Sequence, residues 1–354
     1  MNTLYSYPMV RKVDRRMKKA MELVKKLEEY NNTKPEQMAS FELAGVENKK
    51  YSNTIEFYDF MPKYHWGNVE RINKQFLPRL EREFECKGNK FKIKIDPAKI
   101  EDKEGLVKDY YPSQREELVE DALRKLACEG NGIFLDDQAG VVCSLYQIQK
   151  ELQRIGHGYN KKQIKDALFV CAGSTIEVTT EDGGGIFRSH IFETVGLQMN
   201  TERGEAYIRF NPLVTASIKN KTFRQFNYEK SMSYRNVIAR QLYKRMSHYY
   251  KQAGLMNTYS ILLSTIIRDF GLTKYEKLAN NLREAKQAIE ELKAKDVVLN
   301  YKLETILNTN QRNKLTDAKF IITPHPRFCS DVIKANERQR SITDNSLPGL
   351  SAPK

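Results

Sequence analysis

Lys161, Lys162 and Lys165 crowd one side of the run NKKQIKDALFVCAG, while Ile164, Ala167, Leu168 and Cys171 recur on the other at helical spacing. Ammonium groups on such a helix suit phosphate oxygens and base edges when the helix lies in a major groove. The next stretch, TIEVTTEDGGGIFRSHIF, reads as two alternating strands around a glycine-tipped turn, with Arg188 and His190 on one face of the second strand. A lysine-bearing helix followed at once by a polar hairpin fits DNA held by a recognition helix and a wing. Arg154, on the preceding helix, joins this set; His190 alone reads as a hairpin-surface histidine.

A second constellation follows downstream. Lys274, Lys277, Asn281 and Glu284 are expected to share the outward face of a later helix, where Asn and Lys donate to base edges and Glu284 can accept from cytosine N4. Arg312 and Lys314 fall in the polar loop LNTNQRNKLT, a second candidate wing. Between the two sets, residues 219–251 hold nine Lys or Arg and one acidic residue, Glu229. That excess suits a phosphate-tracking linker, with Lys221, Arg224 and Arg235 as candidate contacts, since each neutralised phosphate releases counterions. Phe223 and several tyrosines there are expected to pack inward.

Enzyme chemistry finds little support. The chain has no GxxxxGK phosphate loop, no HxH pair of the kind a metal-dependent nicking enzyme needs, and no HExxH or GxSxG. Asp136 and Asp137 form an acidic pair, but the turn DDQAG accounts for them without a metal. No catalytic residue, cofactor or metal site is expected.

Composition agrees with a polyanionic partner. In 354 residues, 59 Lys and Arg against 45 Asp and Glu give a formal charge of +14, which points to nucleic acid first and an acidic membrane surface second. Forty percent apolar content suffices for packed cores. Five cysteines, odd in number and never in a CxxC pair, fit neither a disulfide framework nor a zinc ribbon and suggest a reducing cytoplasm. No apolar run approaches the roughly 20 residues of a membrane span, and the amino terminus lacks a signal-peptide core.

The elements that must position these residues are marked by punctuation. A basic amphipathic helix is expected from Met9 to Tyr30, within a leading segment 1–50 that ends in a polar linker. Residues 51–111 read as a small α+β lead-in, with a helix-like NVERINKQFLPRLEREF interrupted at Pro78 and a strand KFKIKI. Ser113, Ser144 and Asn160, each followed three residues later by Glu or Gln, mark three helix starts. With GIFLDDQAGVVCS as a strand pair and the hairpin after the third helix, residues 112–220 have the order of a winged helix-turn-helix. Residues 221–328 repeat that order: a helix after Ser233, a helix in NTYSILLSTIIRDFG, a third opened by TKYE at Thr273, then strands VVLNYKLETI and AKFIIT. Residues 329–354 read as a mostly disordered tail. The expected fold is α+β, with tandem winged helix-turn-helix domains behind a small lead-in.

At YYPSQREELVEDALRKLA, FNPLVTASI, YRNVIARQLYKRMSHYYKQAG and KFIITPHPRFCSDVIKANERQ, the chain resembles plasmid replication initiators of the broad-host-range TrfA type, over residues 80–340. The resemblance implies tandem winged helices that bind direct repeats (iterons) in double-stranded origin DNA and open adjacent DNA. It also implies recruitment of the host initiator, replicative helicase and sliding clamp, without nucleotide hydrolysis. A homodimer is a further expectation. The clamp-binding peptide of QLSLF type has only a faint counterpart here, QFLPRLE, in which Pro78 and Arg79 replace the polar and apolar positions. A winged-helix repressor, or an enzyme of plasmid mobilisation or priming, are the alternatives.

Overall fold

The computed structural model describes residues 50–67, 71–73, 75–101, 104–198, 204–254, 257–308 and 314–345, the last five by backbone alone. The helix expected at Met9–Tyr30 lies outside the described residues.

Alternating burial builds the first strands. β1 (Tyr51–Thr54) leads into a short helix α1 (Glu56–Phe60), whose Tyr58 and Phe60 are buried. Residues 71–73 and 75–79, expected to be helical, instead hold an isolated Ile72–Phe76 bridge, and Leu80–Cys86 is a strand, β2. Proline cannot continue a helix, and from Leu80 to Cys86 burial follows period two, with Phe84 and Cys86 inward and Glu81 and Glu83 in solvent. β2 pairs antiparallel with β3 (Asn89–Asp96), and a small ribbon follows from β4 (Ala98–Glu101) and β5 (Val107–Tyr110).

The first winged unit starts at α2 (Gln114–Leu126), where Glu116 accepts from the Ser113 amide at 2.9 Å. A single π turn at Ala127–Asn131 ends it, with Gly130 at φ 99°, a left-handed backbone that glycine adopts without strain. β6 (Gly132–Leu135) and β7 (Gln138–Ser144) flank a turn in which Asp136 and Asp137 both have positive φ, the conformation of a tight hairpin. α3 (Leu145–Arg154) and α4 (Lys161–Gly173) both begin in reciprocal capping boxes, Ser144 with Gln147 and Asn160 with Gln163. β8 (Thr175–Thr180) and β9 (Ile186–His190) form the wing hairpin.

The lead-in is woven into this unit, because β8 pairs with β3 to give one four-stranded sheet, β2-β3-β8-β9. A second sheet, β10-β11-β7-β6, is completed by β10 (Phe192–Gln198) and β11 (Glu205–Phe210), after which comes α5 (Pro212–Lys219), capped by Asn211.

The second unit repeats the order. β12 (Arg224–Asn227) pairs back with β1; then come α6 (Tyr228–Met232) and α7 (Val237–Tyr249), whose cap is Asn236. Residues 259–262, expected as the start of a helix, form β13 (Tyr259–Leu262), so the second helix, α8, is only Leu263–Asp269. β13 is drawn into the sheet by pairing with β15 (Lys314–Pro324), which also pairs with β14 (Val298–Asn308). The third helix, α9, spans Leu278–Ala294. TKYE does not open it: the cap position is Lys277, with no side-chain cap bond, and Thr273 lies in the preceding loop.

The expected disordered tail is a helix, α10 (Pro326–Asn345), at least as far as residue 345. Phe328, Cys329, Val332 and Ala335 lie inward at helical spacing, an amphipathic face hidden in the sequence by its polar surroundings. α10 returns to the lead-in: Tyr51 Oη donates to Asp331 at 3.3 Å, and Gln339 Nε2 donates to the Lys221 carbonyl at 3.1 Å. The fold is thus α+β, with two winged helix-turn-helix units in tandem.

The join between the units is ionic as well as apolar. Glu117 on α2 accepts from Arg240 Nη2 (2.7 Å) and Gln241 Nε2 (2.6 Å) on α7, and Lys244 reaches both Glu117 (3.3 Å) and Asp121 (2.5 Å). Trp66 adds a tie from the lead-in, donating through Nε1 to the Phe270 carbonyl at 2.6 Å.

Candidate nucleic-acid interface

In the first unit, α4 is seated by Ile164, Ala167, Leu168 and Cys171, all buried, and its start is fixed by the Asn160 cap. The turn before it is held by α3, since Gln149 Nε2 donates to the Tyr159 carbonyl at 3.0 Å. Lys161 and Lys162 are exposed on the opposite face and Lys165 is half-buried, its Nζ 5.5 Å from the centroid of the Phe169 ring. Lys162 and Lys165 border a cavity of about 490 Å³, along with Arg115, Tyr110 and Phe169.

The wing tip is closed by its own hydrogen bonds. Gly184 N donates to Asp182 Oδ1 (3.1 Å) and Gly185 N to Thr180 Oγ1 (3.0 Å), while Gly183 takes φ 71°. The Thr180 hydroxyl, then the Gly184 amide, hold the Asp182 carboxyl below its ordinary pKa. Ile186, 71% exposed, stands beside this turn. Arg188 is exposed on β9 but paired with Asp96 (3.4 Å) and Glu177 (3.6 Å).

In the second unit, α9 buries Asn281, Ala285, Ala288, Ile289 and Leu292 and exposes Ala279, Arg283, Lys286 and Gln287. Lys274 and Lys277 are exposed in the loop before it. Asn281, expected to face outward, is 2% exposed: its Oδ1 accepts from Tyr275 N (3.0 Å) and its Nδ2 donates to the Thr273 carbonyl (2.8 Å). Both hydrogen-bonding ends are spent on the protein, so it cannot read a base. Glu284 is engaged by the Tyr275 hydroxyl at 2.9 Å. Lys314 is exposed at the loop end of the β14–β15 hairpin, opposite Asn308, and Arg312 lies outside the described residues.

Within the basic segment 219–251, Arg224, Arg240 and Lys244 are buried. Arg224, 6% exposed, donates to the Ser247 carbonyl (2.8 Å) and to Asn336, and burial lowers its pKa. Arg240 and Lys244 are spent on the α2 carboxylates, and Arg245 lies 3.1 Å from Asp269. Lys221 and Arg235 are exposed; Lys221 sits at φ 52°, and the Arg235 amide donates to Glu291 at 3.0 Å. Arg154 bridges Glu151 (2.9 Å) and Glu229, bonds that raise its pKa and bind α3 to α6. Arg154, Arg224 and Asn281 therefore serve the fold.

Arg283 and Lys286 were missed because the helix was started at Thr273 and its outward face was drawn through Asn281. The apolar positions Leu278, Leu282, Ala285, Ile289 and Leu292 already leave 279, 283 and 286 on the far side.

QFLPRLE is not a free peptide. Leu77 is buried, its amide donates to Asp109 Oδ2 at 3.0 Å, and Leu80 begins β2.

Two crystal structures of domains 2 and 3 of RctB are similar to this chain. They cover 70% and 73% of it and 91% and 95% of their own chains, at 11% and 12% identity and TM-scores of 0.44 and 0.42. A crystal structure of Pi initiator protein in complex with iteron DNA covers 60% of this chain and 91% of its own, at 13% identity and a TM-score of 0.42. No protein-family profile and no curated protein sequence matches the chain. Among the described residues there is no group of three or more His, Cys, Asp or Glu placed to hold a metal ion, and no helix long and apolar enough to cross a membrane.

Proposed function

We propose that this chain is a sequence-specific DNA-binding initiator of plasmid replication, of the TrfA type, that binds direct repeats at an origin and promotes local opening. The observation that carries the DNA-binding part is the duplication of one device. Each unit seats a third helix by its apolar face, leaves lysines exposed at or just before that helix, and follows it with a hairpin. The initiator role rests on the sequence resemblance. Host initiator and replicative helicase are partners on the same ground and a homodimer is part of the reading, while QFLPRLE, whose Leu77 is buried, gives the sliding clamp no such support. A winged-helix repressor uses the same surface and differs in the site bound.

In this reading Lys161, Lys162 and Lys165 serve one segment of the repeat, and Lys274, Lys277 and Arg283 the other. If both helices enter the major groove from one face of the duplex, the segments lie about 10 to 11 base pairs apart, centre to centre. Footprinting on a single repeat tests this with each triple replaced by alanine. Loss of a different half-site in each variant is the expected result. Loss of the same half, or an unchanged footprint in both, rejects the two-helix reading. Several direct repeats beside an AT-rich tract near the coding region favour the initiator; one inverted repeat at a promoter favours the repressor.

A further inference from the structure

The two helix-turn-helix loops are solved differently. In the first unit the turn spans 155–160 and Asn160 caps the helix that follows. In the second the loop spans 270–277, and α9 has no side-chain cap bond. Lys274, Tyr275, Glu276 and Lys277 are all exposed in that loop, so burial does little to hold it. An asparagine inside the helix does: Asn281 accepts from Tyr275 N and donates to Thr273 O, bracketing the loop from both sides, and Tyr275 Oη reaches on to Glu284. A side-chain amide has the acceptor and donor this bracket needs; a carboxylate keeps the acceptor only.

We propose that Asn281 is a positioning residue: it fixes the Thr273–Lys277 loop on α9 and so presents Lys274 and Lys277 to DNA. This deepens the DNA-binding reading and rests on it. Asn281 touches no base; its effect on binding runs through the two lysines.

The probe is a 30-base-pair duplex enriched by the wild-type protein from a random pool, with a scrambled duplex as control. Asn281→Ala is expected to weaken binding to the enriched duplex about as much as the pair Lys274→Ala and Lys277→Ala, and to reduce the log-log salt slope by about 2, one for each lysine contact. Combining all three changes should add little further loss, because residues acting through one another are not additive. Amide exchange supplies an independent readout. In Asn281→Ala the Tyr275 amide should exchange faster, while those of Ile289 and Leu292 stay protected. Should Asn281→Ala unfold the helix, Asn281→Asp is judged by the same measurements. Fully additive losses, unchanged affinity, or unchanged Tyr275 exchange overturn the proposal. A wild-type protein that enriches no duplex overturns the DNA-binding reading itself, a result distinct from any of these.

Discussion

Glu117 on α2 accepts from Arg240 on α7 at 2.7 Å, and the Arg240 side chain has no exposure to solvent. One carboxylate thus links the first helices of the two winged units and also takes bonds from Gln241 and Lys244. Burial pushes the Glu117 carboxyl up, yet Arg240 and Lys244 together hold it below its ordinary pKa. Such a site tolerates removal of the whole set better than removal of one member, because a lone buried charge is left unpaired.

Glu117→Leu is therefore expected to destabilise the protein by about 3 to 5 kcal/mol, measured by urea unfolding. Replacing Glu117, Asp121, Arg240 and Lys244 together with apolar residues should be milder than the single change, since Lys244 also pairs with buried Asp121. Equal or greater loss in the fourfold variant would show that this join is not governed by charge pairing.

DNA binding should depend strongly on salt. With Arg154, Arg224 and Asn281 assigned to the fold and Arg312 outside the described residues, the remaining candidate contacts are Lys161, Lys162, Lys165, Arg188, Lys221, Arg235, Lys274, Lys277 and Lys314, with Arg283 added. If about six of them meet phosphates, the log-log slope is near −5. Titration of the enriched duplex between 50 and 200 mM salt, roughly the range over which such contacts are read, checks it; a nearly flat response rejects the electrostatic surface.

Acid should weaken the fold before the carboxylates titrate. Burial is the main cause that lowers the pKa of His248, which faces Glu56, Arg224 and Lys251, and of His157, which faces the Met232 carbonyl, Arg240 and Glu117. The unfolded chain takes up protons near the ordinary value of 6.5 that these folded imidazoles refuse, so stability falls as pH drops below it. Glu56 acts lower: burial raises its pKa, but His248 and Lys87 bring it down to about 2, so its contribution is present above the ordinary 4.5 and lost toward 2. The urea midpoint should be lower at pH 5 than at pH 7, and His248→Phe, packed beside Phe60 and Tyr249, should reduce the difference. A midpoint constant over that interval contradicts the assignment.

Phe328, 1% exposed, stacks near Tyr243 and Tyr250 at the start of α10. Phe328→Ala should cost about 3 kcal/mol or more, the loss expected of a core aromatic. A change within about 0.5 kcal/mol, the range of surface substitutions, would return this segment to the status of a tail.

What the sequence displayed was what short spacing decides. Asn160 and Gln163, or Ser144 and Gln147, make their bonds within one turn, so a residue pair suffices to place a helix start. Strand alternation in KFKIKI was equally local. Arg224 could not be read this way, because its burial depends on Ser247 and Asn336, the latter 112 positions away. Asn281 has the outward look of a base reader until the loop conformation at Thr273 and Tyr275 is known. The excess of arginine and lysine in 219–251 was real, but Arg240 and Lys244 within it meet carboxylates on α2, a helix more than 100 residues earlier. The local charge balance of a segment says nothing about charges that arrive from elsewhere in the chain.

β1 pairs with β12, and its Tyr51 bonds Asp331 on α10. As the chain leaves the ribosome, a strand made early thus waits for one made about 170 residues later, and then for a helix made later still. At typical synthesis rates of 5 to 20 residues per second that interval is roughly 10 to 30 seconds. The first unit can close its own helices meanwhile, but this seam stays open to solvent, and to chaperones, until α10 has been made.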